Sequence, residues 1–144
     1  MSSVMVSGLS DIKLPWLVRF RLSRIRKRQG TGVLLYGLIR ASARSTSKHA
    51  PALSVLEGTR RLCMCSHMSK FPKWAELQPG AHELCLRASR RASSSQVEAN
   101  IVLEPGDVMI AVGRPIDAKF WWEPRRSADH WYIGVRHCNA TRET

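Results

Sequence analysis

Acid is scarce in this chain. Only 11 of its 144 residues are Asp or Glu, against 23 Lys and Arg, which leaves a net charge of +12. In residues 1–50 one acid, Asp11, stands against ten basic groups, whereas residues 101–144 carry six of each sign. A cationic front and a neutral back point to a polyanionic partner, either nucleic acid or an acidic membrane surface. Long apolar runs are missing too. The best, residues 33–39, falls far short of the roughly 20 residues that span a bilayer, so no transmembrane segment is expected. No cationic stretch followed by an apolar run opens the chain, so no secretory signal is expected. Four cysteines are too few for a secreted disulfide scaffold. Their thiols are expected to be free or metal-bound in a reducing, intracellular compartment.

The length fits one small domain with a real core. Residues 1–10 are small and polar and are expected to fray. Residues 11–28, DIKLPWLVRFRLSRIRKR, put Leu14, Leu17, Val18, Leu22 and Ile25 near helical spacing, although residues 18–23 also alternate as a strand does. The helical reading is favoured, from Trp16 to Lys27, with Pro15 at the start and Gly30 and Gly32 beyond the end. Residues 33–40 form a short apolar strand or helix, and residues 41–52 resemble a linker. One helical turn is expected within residues 53–62. A second helix is expected over residues 81–92, where Ala81, Leu84, Cys85, Ala88 and Ala92 share a face. Residues 89–96 are polar and are expected to be flexible. The Pro105-Gly106 turn should lead into a buried strand at residues 108–112, with a second strand at 131–135 and a long loop at 114–129 between them.

The middle of the chain reads RLCMCSHMSKFPKWAELQPGAHELC over residues 61–85. Zinc takes four soft or borderline donors in a tetrahedron, commonly two close pairs separated by a loop. Here Cys63 and Cys65, or Cys65 and His67, offer the first pair, and His82 and Cys85 the second at a spacing that suits a helical first turn. His137 and Cys138 are further donors. The expected ligand set is Cys63, Cys65, His82 and Cys85, with zinc as the cofactor. A single residue between the two cysteines is shorter than fingers usually use.

The compact basic run Arg24-Ile25-Arg26-Lys27-Arg28, with Arg19 and Arg21 before it, suits phosphate contact through released counterions. Trp16 and Phe20 are placed to stack on unpaired bases. The same run resembles a nuclear import signal, so the expected location is the cytoplasm and the nucleus.

Residues 104–110, Arg114-Pro115 and His130-Trp131 resemble the H-box of lecithin:retinol acyltransferase and the NlpC-type thiol hydrolases. In that family a Pro-Gly-Asp turn enters one strand and a His-Trp pair opens the next. The resemblance implies His130 as the base for a cysteine nucleophile. Two departures are plain: residues 116–129 separate Arg-Pro from His, and no nucleophile block follows. The resemblance therefore implies an inactive or incomplete member.

The small size, the arginine-rich segments and the mid-chain Cys/His cluster resemble the small accessory proteins of plant RNA viruses, such as sobemovirus-type first-open-reading-frame proteins. That likeness implies roles in movement or in suppression of RNA silencing. The expected protein is thus a non-enzymatic, basic RNA-binding accessory protein. Its expected fold class is α+β, with a basic helical segment and linker over residues 1–52. A globular region carrying the Cys/His cluster and C-terminal strands is expected over residues 53–144.

Overall fold

Two stretches of this chain are apolar at every position, and they become the strands buried on both faces. The computed structural model describes residues 3–37, 52–65, 71–89, 94–116 and 128–137. Within it, β2 (Gly32–Gly37) and β8 (Asp107–Ile116) run parallel at the centre of a five-stranded sheet. β1 (Ser3–Gly8), β5 (Lys73–Glu76) and β9 (Ala128–His137) complete it in the order β1-β9-β8-β2-β5. A four-stranded antiparallel sheet lies against one face. It consists of β3 (Ala52–Glu57), β4 (Arg60–Cys65), β6 (Gly80–Ser89) and β7 (Ser94–Leu103), in the order β4-β3-β6-β7. The other face is covered by α1 (Trp16–Lys27) and a 3-10 turn at Leu9–Asp11.

Successive side chains of a strand point to opposite faces, so β8 feeds two cores. Met109 and Ala111 meet Val33, Leu35 and Trp131 against the small sheet's Leu53, Val55, Leu84, Leu86 and Leu103. Val108, Ile110 and Val112 join Leu34 and Tyr132 beneath Val18 and Ile25 of α1. This double covering is why β2 and β8 read as continuous apolar runs. Gly32 is needed where β5 pairs with β2, since a Cβ there would stand 2.0 Å from the Ala75 carbonyl oxygen.

The expected α+β class is overturned: among the described residues strands predominate and α1 is the single α-helix. Residues 81–92 were expected to be helical, but 80–89 are the strand β6. The expected helical turn within 53–62 is the β3–β4 hairpin, which reverses at Gly58 with φ +63°. Residues 3–8, expected to fray, pair in parallel with β9. The helix over Trp16–Lys27 is present at its expected bounds. It ends in a Schellman motif, with Gly30 N donating to Ile25 O and Gln29 N to Arg26 O. Gln29 takes the left-handed conformation there, at φ 54°.

The Pro105-Gly106 turn also forms as expected and leads into β8. Asp107 N donates to Glu104 O at 2.9 Å, and Gly106 supplies a φ of +88°, the type II pattern with Pro at its second position. Residues 131–135 lie within β9, antiparallel to β8. Segments 38–51, 90–93 and 117–127, which hold most of the expected linker and loop, lie outside the described residues. β1 and β2, from the first 52 residues, share a sheet with β8 and β9.

Candidate nucleic-acid interface

At 3.6 residues per turn, α1 divides its surface into stripes. Val18, Leu22 and Ile25 fall on one side, and Val18 and Ile25 are buried. Trp16, Phe20 and Lys27 fall on the opposite side. Trp16 is 65% exposed and Phe20 55%, and their rings meet edge to face at 6.4 Å. Arg24 and Arg28 flank this aromatic stripe on one side, Arg19 and Arg26 on the other, and all four are exposed. No acid lies in the helix, and Arg24, Arg26 and Lys27 in its last turn suit the carbonyl end of the helix dipole. Arg21 differs from its neighbours. It is half-buried, and its Nε is enclosed with no hydrogen-bond partner among the described residues.

Beside Arg19 and Arg26 the helix, the 3-10 turn and the end of β9 enclose an open groove of about 600 Å³. Arg136 and His137 of β9 form its far wall. Neither was singled out for nucleic-acid contact from sequence, because the strand pairing that brings them beside α1 spans more than a hundred residues. A basic residue at the end of a strand gives no local hint of it. His137 is held in place: its Nδ1 lies 2.6 Å from Asp107 Oδ1, while Asp107 Oδ2 accepts from Glu104 N at 3.0 Å. Asp107 is itself buried, and both of its side-chain oxygens have partners in this brace.

The residues expected to bind zinc are dispersed. Cys63 and Cys65 pack toward the inter-sheet core from β4, whereas His82 and Cys85, three apart on β6, point to opposite faces. β3 lies between β4 and β6, a separation of about 9–10 Å at ordinary strand spacing. Cys65 and Cys85 have other company. Cys65 Sγ donates to Leu35 O at 3.5 Å, and Cys85 Sγ to Gln96 Oε1 at 3.6 Å. Burial, with a lesser contribution from Cys65, pushes the Cys63 thiol up to about 12; burial pushes Cys65 to about 11. Among the described residues no three of His, Cys, Asp and Glu are grouped to hold a metal ion. His67 and Cys138 lie outside those residues.

His82 instead closes the open end of the small sheet. Its Nδ1 is 2.5 Å from Glu57 Oε2 and its Nε2 is 2.6 Å from Gln78 O. Both partners only accept, so both ring nitrogens are best occupied by protons. The Glu57 hydrogen bond first, and the Gln78 carbonyl second, raise the pKa of His82 above its ordinary value. A raised folded-state pKa stabilises the fold fully below the unfolded value, about 6.5, and the contribution fades as pH climbs through the folded value. We therefore expect the urea midpoint to be higher at pH 6 than at pH 9. His82→Gln should shrink that difference, and an equal difference in the variant would show that other groups carry it.

His130, the residue the H-box likeness marks as a base, has a hydroxyl for a partner. Its Nε2 lies 2.7 Å from Ser7 Oγ on β1, and its ring stacks on Tyr132 at 4.2 Å. Ser7 has no sequence signal that would join it to His130; the parallel β1–β9 register does so. Among the described residues no helix is long and apolar enough to cross a membrane. No protein-family model matches the chain, and neither a curated protein nor a solved structure matches it.

Proposed function

We propose that this chain is an intracellular RNA-binding protein whose contact surface is the outward side of α1. The observation that carries the reading is the exposed Trp16–Phe20 pair, set among Arg19, Arg24, Arg26, Lys27 and Arg28 on a helix without an acid. Large aromatics left in water beside guanidinium groups suit stacking on unpaired bases while the cations hold phosphate. Packing offers little reason for the two rings, since Val18 and Ile25 already anchor the helix. Single strands fit better than duplex, because paired bases hide their faces from a stacking ring.

Trp16→Ala and Phe20→Ala test this directly. Each should weaken binding to a fluorescein-labelled oligouridylate by about 1–3 kcal/mol, the usual worth of one stacked base, which is roughly 5- to 150-fold. Anisotropy titration at fixed salt measures it. The unfolding midpoints should stay close to wild type, since both side chains are exposed. Unchanged affinity in both variants would refute stacking by this pair.

A further inference from the structure

The groove beside α1 has a chemistry that the outward face of the helix lacks. Its rim is cationic, with Arg19 and Arg26 from α1 and Arg136 from β9, while its floor is apolar and includes Leu9, Ile12 and Leu14. Among the described residues no carboxylate lines it. The nearby Asp107 is buried and occupied by His137 and Glu104 N. An inorganic anion would leave the apolar floor uncovered, and a neutral hydrophobe would leave three guanidinium groups unpaired. The matching ligand carries a phosphate and a flat, largely apolar body within one residue's reach.

We infer that the groove holds one unpaired nucleotide of a bound single strand, with its phosphate on Arg19, Arg26 and Arg136 and its base over the apolar floor. The inference rests on the RNA-binding reading and adds to it a second, separately placed base site. Arg19 and Arg26 stand on the flank of α1 that borders both the groove and the aromatic stripe. One strand can therefore stack on Trp16 or Phe20 and continue over the same cations into the groove. His137 sits on the wall with Asp107 fixing its Nδ1 side, so its Nε2 is the ring atom left to meet ligand. Duplex is rejected, since a paired base cannot turn into the groove.

Arg136 is the residue to vary, because it is exposed and belongs to β9 instead of the helix. Arg136→Gln should weaken binding to an eight-residue oligouridylate about tenfold and flatten its salt dependence by about one phosphate contact. Arg136→Lys should recover part of the loss. An abasic oligomer of equal length and charge should bind wild type less tightly, and Arg136→Gln should lose little further affinity for a base in the groove. Wild-type affinity in Arg136→Gln, with Trp16→Ala weakened, would overturn the groove site and leave the helix surface intact. Equal binding of abasic and base-bearing oligomers to Trp16→Ala would overturn the base seat. Preference for phosphatidylserine vesicles over the oligomer, lost in Arg136→Gln, would also overturn it, by showing a lipid headgroup site. If neither variant nor wild type binds the oligomer, the RNA-binding reading fails with it.

Discussion

Replacing Arg24, Arg26, Lys27 and Arg28 together with glutamine should remove about two-thirds of the salt dependence of single-strand binding. Each phosphate contact releases condensed counterions, and for single strands the slope of log K against log salt is about −0.7 per contact. Six exposed cations, the helical Arg19, Arg24, Arg26 and Lys27 with Arg28 at the cap and Arg136 on β9, give a slope of about −4.2 and about a 300-fold loss between 50 and 200 mM salt. With four neutralised, Arg19 and Arg136 remain, so the slope should approach about −1.4, and affinity at 50 mM should fall about 100-fold or more. All four side chains are exposed, so the fold should survive, and far-ultraviolet circular dichroism would confirm that. A slope unchanged by the quadruple substitution would move the phosphate contacts off this helix.

Trp131→Ala should cost about 3–5 kcal/mol, the usual range for truncating a buried tryptophan. Trp131 has no exposed surface and sits between the two sheets. Its indole lies over Gly113, its partner across the β8–β9 ladder, where an added Cβ would be only 3.1 Å from the ring. The glycine makes the space that the alanine variant would empty. A loss of this size is a large share of the 5–15 kcal/mol that holds a typical domain together. Trp131→Phe should cost much less. The indole Nε1 is buried without a hydrogen-bond partner among the described residues, and replacing it with carbon relieves that desolvation penalty. Urea unfolding of the three proteins measures both differences. A loss under about 1 kcal/mol for the alanine variant would be inconsistent with a core built around this ring.

The helix was legible in the sequence because its signals are local. Pro15 opens it, Val18, Leu22 and Ile25 mark a face, and Gly30 lies just past its end. The Glu104-Pro105-Gly106-Asp107 turn was legible for the same reason. β6 was misread because residues four apart, such as Leu84 and Ala88, satisfy the helical period and the strand period alike. Leu86, between them and fully buried, decides for alternation. In the β3–β4 segment, Gly58-Thr59 between two short apolar runs was the available hairpin signal. The zinc ligand set depended on His82 and Cys85 sharing a helical turn, so it dispersed once β6 proved extended. In the candidate interface, the stripe on α1 could be read from one segment. Arg136, His137 and the Asp107 brace could not, because β9 reaches the helix only through long-range pairing.

That pairing has a consequence for how the chain comes into being. β2 finds its parallel partner only when residues 108–113 exist, and β1 only when 128–133 do. At ordinary synthesis rates the roughly seventy residues between β2 and β8 take about 3–14 s to emerge. Throughout that interval Val33, Leu34 and Leu35 have no central strand to lie against. Parallel pairing across such separations is slow even in the finished chain, because loop closure precedes any gain from contact. The basic helix, by contrast, sits between β1 and β2 and emerges early. A nascent chain would thus present a strongly cationic segment next to an apolar strand paired on one edge by β5 at most, a combination that favours holding by a chaperone until β8 and β9 arrive.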